Sequence, residues 1–285
     1  MNLSQKRKIW KVKSMDKALI DLLFMSQKRK DLLLLLKSGG ETIEEIVDTL
    51  NVNPTGMLPQ IKKLKDEHLV LQEDREYRLT PLAEILVEKM EPLLDTLQVI
   101  EENKSYWQER DLTALPRAFL ERLNELKFCF LVRPDPDNIF EPPAVFLENI
   151  GKSRKIFSLS SIFHPVLSET FLTNQDEDTE ITLIITEKIY ERLKTDFEDE
   201  LRLYLAREKK KLFLYTDEIK IAMLVKTEHF IAIDFLTSKG SFDQETIIGF
   251  EPAALKWAED LILHYREHAR EIKGKPGQEN LQMKK

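Results

Sequence analysis

Cysteine is all but absent from this 285-residue chain, which has one, Cys129. A lone thiol excludes an internal disulfide and argues against structural zinc, which needs a set of Cys or His ligands. It sits in the apolar run Phe128-Cys129-Phe130-Leu131-Val132, the setting of a buried, inert thiol. Glycine and proline are scarce too, at 8 and 12 residues, too few for a linker-rich or disordered chain. No apolar run is long enough to cross a bilayer and no signal peptide opens the chain. The expectation is a cytoplasmic protein with no membrane partner.

Catalytic motifs are missing as well. No Gly-rich phosphate loop follows a strand, and G-x-S-x-G, H-E-x-x-H and His-x-Lys-x4-Asp do not occur. His68, His164, His229, His264 and His268 are scattered. His264 and His268 are four apart, a spacing that suits a metal, but no carboxylate or thiol set accompanies them; a solvated helix face is the better reading. An enzyme is not expected, and neither a metal nor a cofactor is implied.

What is present is apolar mass and charge. A 42% hydrophobic content with 15 Phe supports two cores, and the length suits about two domains. The net charge of −7 divides unevenly: residues 1–80 hold 15 basic against 12 acidic side chains, a net of +3, which leaves −10 for the remainder. Phosphate attraction depends on local charge, so the acidic total does not veto nucleic acid as a partner. Residues 1–14 carry Lys6, Arg7, Lys8, Lys11 and Lys13 and no acid, which reads as a phosphate-binding arm or a frayed terminus.

The most informative stretch is Thr42 to Leu79. Thr42 and Glu45 stand at capping-box spacing, and Ile43, Ile46, Val47 and Leu50 follow at helical period up to Asn51. Asn53-Pro54 restarts the chain into a second helix, where Leu58, Ile61 and Leu64 form the expected inward stripe. Thr55, Gly56, Pro59, Gln60, Lys62 and Lys63 then point outward. Pro59 fits if the helix starts near Thr55, which makes its missing N–H one of the unpaired first-turn groups. Leu69-Val70-Leu71 and Tyr77-Arg78-Leu79 flank Glu73-Asp74-Arg75-Glu76 as a hairpin. Helix, turn, basic-faced helix and hairpin make a winged helix-turn-helix, whose second helix enters the DNA major groove. The bland alternative is a helical pair with solvated lysines.

Upstream, Ala18, Leu19, Leu22 and Leu23 open a helix, and the run Leu32 to Leu36 forms another, stopped by Gly39-Gly40. Lys28, Arg29 and Lys30 at its start are candidates for the DNA backbone. Thr80-Pro81 begins a long helix, with an apolar stripe of Leu82, Ile85, Leu86, Met90, Leu93, Leu94, Leu97 and Ile100. That stripe is either a dimer seam or the face that docks a second domain, and Pro92 is expected to bend or interrupt it.

From Phe128 to about Ile272 the pattern changes to strands at Phe128–Val132, Val145–Asn149, Ile156–Ser160, Ile181–Thr186, Lys211–Thr216, Ile219–Lys226 and His229–Leu236. Glu187 to Lys209 is an amphipathic helical stretch, and Pro252 opens a last helix with Ala254, Trp257, Ala258, Leu261, Ile262 and Tyr265 on one side. Ligands in open α/β sheets sit beyond the carboxyl ends of strands. The polar residues there, Ser160, Ser161, His164, Thr186, Thr216 and Asp217, form a candidate pocket for a small-molecule effector, or ordinary turn formers.

The segment KRKDLLLLLKSGGETIEEIVDTLNVNPTGMLPQIKKLKDEHLV, followed by YRLTPLAEILVEKMEPLLDTL, resembles the archaeal winged-helix regulators of methanogens, the Fil-type or methanogenesis-regulatory family, grouped loosely with ArsR-like repressors. IFSLSSIFHP, ITLIIT, KLFLYT and FIAIDFLTSKGSFD are similar to that family's second domain. The match runs from about Met15 to about Arg270. It implies transcription factors of methane-producing metabolism or cell form, acting as dimers. ArsR-type metal sensors bind their inducer through cysteines, and Cys129 alone, outside the DNA-binding part, does not support that here.

The reading is therefore a two-domain α+β / α/β protein: a basic arm (1–14), a winged helix-turn-helix (15–80), a linker or dimerisation helix (81–111), an α/β effector domain (112–272) and a disordered tail (273–285). Its partner is double-stranded DNA, its state a homodimer, with half-sites roughly 34 Å apart. Thr55, Gly56, Pro59, Gln60 and Lys63 are expected in the major groove, with Gln60 pairing adenine through two bonds. Lys62, Lys65 and Arg75 are expected on phosphates or beside the minor groove. The rivals are a protein-interaction module docking through the winged helix, and an enzyme with an amino-terminal regulatory domain.

Overall fold

Helical periodicity dominates the chain up to about residue 100, and strand patterns dominate beyond residue 128. In a computed structural model, which describes residues 17–135, 141–164, 167–174 and 176–273, they form two units that divide between Leu94 and Asp95. The basic arm, and all of the expected tail but Lys273, lie outside the described residues. No helix among the described residues is long and apolar enough to cross a membrane.

The first unit runs α1 (Lys17–Phe24), α2 (Gln27–Leu36), β1 (Glu41–Thr42), α3 (Ile43–Thr49), α4 (Pro54–Asp66), β2 (Val70–Glu73), β3 (Glu76–Leu79) and, as far as Leu94, α5 (Pro81–Glu102). Its strands pair antiparallel in the order β1-β3-β2. The capping box forms: Glu45 N–H donates to Thr42 Oγ1 (3.3 Å) and Thr42 N–H to Glu45 Oε2 (2.8 Å). These bonds favour the carboxylate, so the Glu45 pKa falls, chiefly through the Thr42 backbone N–H. After α3, Asn51 takes a left-handed φ of 48°, a conformation asparagine tolerates better than most residues.

α4 departs from expectation in two ways. Leu58 is 44% exposed, and Met57 is buried in its place beside Ile61 and Leu64. At 100° per residue, spacings of four and three keep 57, 61 and 64 within a narrower arc than two spacings of three allow. Pro59 is the sixth residue of the helix, past the first turn, because Asn53 caps it and Pro54 starts it. The Thr55 carbonyl thereby loses its helical partner, but Thr55 and Pro59 are both exposed, so water replaces it. The same holds on α5, which continues through Pro92 without a break because Glu88 and Pro92 face solvent. The α5 stripe splits over two faces. Ala83, Val87 and Met90 are buried in the first core and Val99 in the second, while Leu82, Ile85, Leu93 and Leu97 are each about half exposed.

The second unit is built on one eight-stranded mixed sheet. After α6 (Lys104–Glu109) and α7 (Arg117–Leu120) come β4 (Phe130–Val132), α8 (Ala144–Ile150), β5 (Lys155–Ser160), β6 (Glu180–Thr186), α9 (Glu187–Asp196) and α10 (Glu198–Leu205). Then follow β7 (Lys210–Tyr215), β8 (Ile221–Thr227), β9 (Ile231–Phe235), β10 (Thr246–Gly249), α11 (Pro252–Glu267) and β11 (Arg270–Ile272). The order is β11-β7-β6-β5-β8-β9-β10-β4, parallel only across β7-β6-β5. One face packs α11, whose predicted stripe from Ala254 to Tyr265 is buried in full; the other packs α8, α9 and α10.

Val145–Asn149, expected as a strand, is helix α8. Pro143 sets its start, and the buried residues Phe146 and Ile150 are four apart, a helical spacing. The single helical stretch expected over 187–209 is two helices broken at Phe197. Strands β10 and β11 had no counterpart in the sequence reading.

Candidate nucleic-acid interface

The outward side of α4 is the surface on which the sequence placed nucleic acid. Thr55, Pro59, Lys62 and Lys63 are exposed there. The first turn is held by Asn53, whose Oδ1 accepts from the Gly56 N–H at 2.6 Å and the Thr55 hydroxyl at 2.9 Å. A Cβ added to Gly56 would stand 2.7 Å from Lys28 Nζ, the tip of an exposed, flexible side chain that can swing clear. The start of α2 is thus laid against the start of α4.

Arg29 makes the second link between these helices. Its Nη1 donates to Gln60 Oε1 (2.9 Å), while Nε and Nη2 donate to the carbonyls of Leu22 (2.7 Å) and Asp21 (2.9 Å). Arginine only donates, so the Gln60 atom facing it is the oxygen. That oxygen already holds one of the two bonds it can accept. Two-bond pairing with adenine uses both groups, and the oxygen keeps a second lone pair beside its bond to Arg29. Lys65 also turns aside: its Nζ donates to Gln72 Oε1 (2.9 Å) and lies 5.8 Å from the Tyr77 ring centre. Lys28 is exposed and Lys30 half-buried. Arg75 sits at the hairpin tip among Glu73, Asp74 and Glu76, and Glu76 is ion-paired with Arg78. Residues 17–80 hold 10 basic and 11 acidic side chains, so the positive balance of the amino-terminal part resides in the arm.

In the second unit five of the six effector candidates, Ser160, Ser161, Thr186, Thr216 and Asp217, stand at the carboxyl ends of the adjacent strands β5, β6 and β7. Ser160 is buried, and Ser161 Oγ and Thr186 Oγ1 are buried without a hydrogen-bond partner among the described residues. They follow directly on the paired Ser160 and Ile185, at the carboxyl ends of β5 and β6. Thr216 and Asp217 follow β7. Only His164 lines the main cavity, of about 470 Å³. The cavity floor is a row across four strands, Met223, Asp234, Thr246 and Val132, paired in succession. Phe146 of α8 and Phe242 stand among its walls.

Asp234 is the residue that the sequence reading missed. It is 2% exposed and accepts the Thr246 hydroxyl on Oδ1 at 2.5 Å. Burial pushes its pKa up to about 7, against the Thr246 bond, which lowers it. The signal was available: a lone acid in the apolar run Ile231-Ala232-Ile233-Asp234-Phe235. Arg110 offered none, being one charge among Glu109, Arg110 and Asp111. Its side chain is fully buried and donates to both Asp243 oxygens (2.8 and 2.6 Å) and to Glu245 Oε2 (2.6 Å), and lies 4.1 Å from the Tyr106 ring centre. Burial raises the Cys129 thiol to about 12, in line with an inert side chain. Among the described residues, no three His, Cys, Asp or Glu side chains gather as a metal would need.

Two family models match the chain: the N-terminal domain of the methanogenesis regulatory protein FilR1 over residues 17–98, and its middle domain over 139–268. FilR1 of Methanothrix harundinacea (strain 6Ac) is 27% identical over 252 residues, covering 87% of this chain. The chain spans only 56% of that relative's length. Among solved structures, TrmBL2, described as an archaeal chromatin protein with a novel mode of DNA binding, aligns with TM-score 0.40 at 14% identity, covering 91% of this chain and all of that one. An IcIR transcriptional regulator from Alicyclobacillus acidocaldarius aligns with TM-score 0.23 at 16% identity, covering 88% of this chain and 96% of that one. At these TM-scores no functional statement follows from either. The two domain matches, in sequence order and together spanning most of the chain, carry the assignment: this chain belongs to the family of the methanogenesis regulatory protein FilR1.

Proposed function

We propose that the chain is a sequence-specific, DNA-binding transcriptional regulator rather than an enzyme, with residues 17–80 as a winged helix-turn-helix. The observation that carries this reading is the uncovered face of α4, where Thr55, Pro59, Lys62 and Lys63 stand on a helix whose start is capped by Asn53 and which Arg29 holds through Gln60. Such a helix fits the major groove, and its lysines meet phosphates. Family membership supports the regulatory role. The chain works as a homodimer through Leu82, Ile85, Leu93 and Leu97, an apolar row along α5 that water would otherwise meet. The α/β unit senses a small ligand.

The test is fluorescence anisotropy of the full chain on a random duplex library at several salt concentrations, followed by selection. Binding should weaken with salt, and selected sequences should be (pseudo)palindromic. Failure to retain duplex even at low salt overturns the reading. Leu58, exposed on α4, and the acidic hairpin tip favour a second reading, a docking surface for a protein partner. Its mark is an affinity that barely responds to salt, because no counterions are released.

A further inference from the structure

The cavity of the α/β unit carries more than its volume. Its 470 Å³ falls within the range of about 300–1,000 Å³ usual for small-molecule sites. Met223, Val132, Phe146 and Phe242 supply apolar and aromatic walls, and Asp234 supplies one buried acid on the floor. Its Oδ1 accepts from Thr246, and no hydrogen bond within the described residues is made by Oδ2. A carboxyl oxygen that faces a cavity without a hydrogen bond is open to a donor on a ligand.

Charge decides which donor. The other charged residues of the lining are Asp135, Glu141 and Arg133, and Arg133 is paired with Glu245 (2.9 Å). Arg133 is thus held by Glu245, which leaves Glu141 at the rim and the carboxyl of Asp234 on the floor to favour a cation over an anion.

We propose that this cavity binds a small organic amine, its ammonium on Asp234 Oδ2 and its apolar or aromatic body against Phe146, Met223 and Phe242. The inference rests on the reading of this unit as a sensor and names the site and the ligand class. The same residues supply a route to the rest of the chain. Phe242, Gln244 and Thr246 line the cavity, while the alternate residues Asp243 and Glu245 hold Arg110, which follows α6 directly. A ligand that orders one side of this segment orders the Arg110 side with it. Burial keeps Asp234 largely protonated below neutrality, so an ammonium that binds there displaces a proton.

The experiment is isothermal titration calorimetry of the full chain with 2-phenylethylamine, against 2-phenylethanol and 3-phenylpropanoate, each up to about 10 mM. The amine should bind at least tenfold more tightly than the alcohol, and the acid should not bind. Asp234→Asn should lose at least tenfold in amine affinity and leave the alcohol unchanged. Repeating the amine titration near pH 6 in buffers of different ionisation enthalpy should show proton release, a readout that needs no variant to fold. Equal binding of amine and acid, an unchanged Asp234→Asn, absence of proton release, or no amine binding each overturns the proposal. Duplex retention by the same preparation separates the outcomes: retention without amine binding sinks the amine site alone, and loss of retention sinks the regulator reading.

Discussion

Replacing Asp234 by asparagine should stabilise the second unit, and more so as pH rises. The native carboxyl titrates near 7 and the unfolded one near 3.8, because folding takes it out of water. Between these values the unfolded chain binds fewer protons than the native one, so stability falls as pH rises from about 4 to about 7 and is level beyond. Below about 4 the penalty is absent. Three pH units at about 1.36 kcal/mol each make a full penalty of about 4 kcal/mol, of which about 3 accrues between pH 5 and pH 8. Arg110, Asp243, His164, Asp135, Glu141 and Arg133 surround this group in both proteins, so the difference between the two isolates the one carboxyl. The asparagine carbonyl can still accept from Thr246, and the amide takes the position of the unpaired oxygen. The assay is urea unfolding followed by tryptophan fluorescence at pH 5, 6, 7 and 8, because Trp107 and Trp257 are both buried in this unit. A gap widening by about 3 kcal/mol in favour of Asp234→Asn is expected, equivalent to roughly 10 °C in melting temperature for a unit of this size. Parallel stability curves across that range would refute the burial argument.

Other expectations follow from particular contacts. Lys63→Ala should reduce the slope of log affinity against log salt by about 0.9 and weaken all duplexes alike. Gln60→Ala should instead relax preference at one base position, and Arg29→Ala should relax the same position; if the two effects add fully, the Arg29 brace is not what orients Gln60. Leu93→Glu with Leu97→Glu should convert a dimer to a monomer by sedimentation while leaving the monomer fold intact, since both side chains are about half exposed; an unchanged mass removes the α5 seam. Arg110→Met should cost about 3–5 kcal/mol in urea unfolding, because Asp243 and Glu245 lose their shared cation; a loss below about 1 kcal/mol means that they are solvated enough to stand alone.

Much of this protein was legible along the chain because the controlling interactions are local. The capping box at Thr42, the Asn51 stop, the Thr80-Pro81 start and the buried stripe of α11 join residues within a turn or two of each other, and their spacing alone specifies them. Leu58 and Val145–Asn149 went otherwise: several periods fit a short apolar run, and burial against the rest of the unit selected Met57 and a helix. Pairing across the sheet is a long-range matter, so β10 and β11 had no local mark. The cavity of the second unit shows the limit most sharply. Hydroxyls at strand ends drew notice, yet Asp234, Thr246, Met223 and Val132 become one floor only when four strands from residues 130 to 249 lie in register. Sequence determined most of the helices, where most of them start and stop, and that two cores exist. Tertiary structure alone decided that Gln60 lends its oxygen to Arg29 and that one acid is sealed beneath a cavity, because both depend on which distant groups desolvation forces into contact.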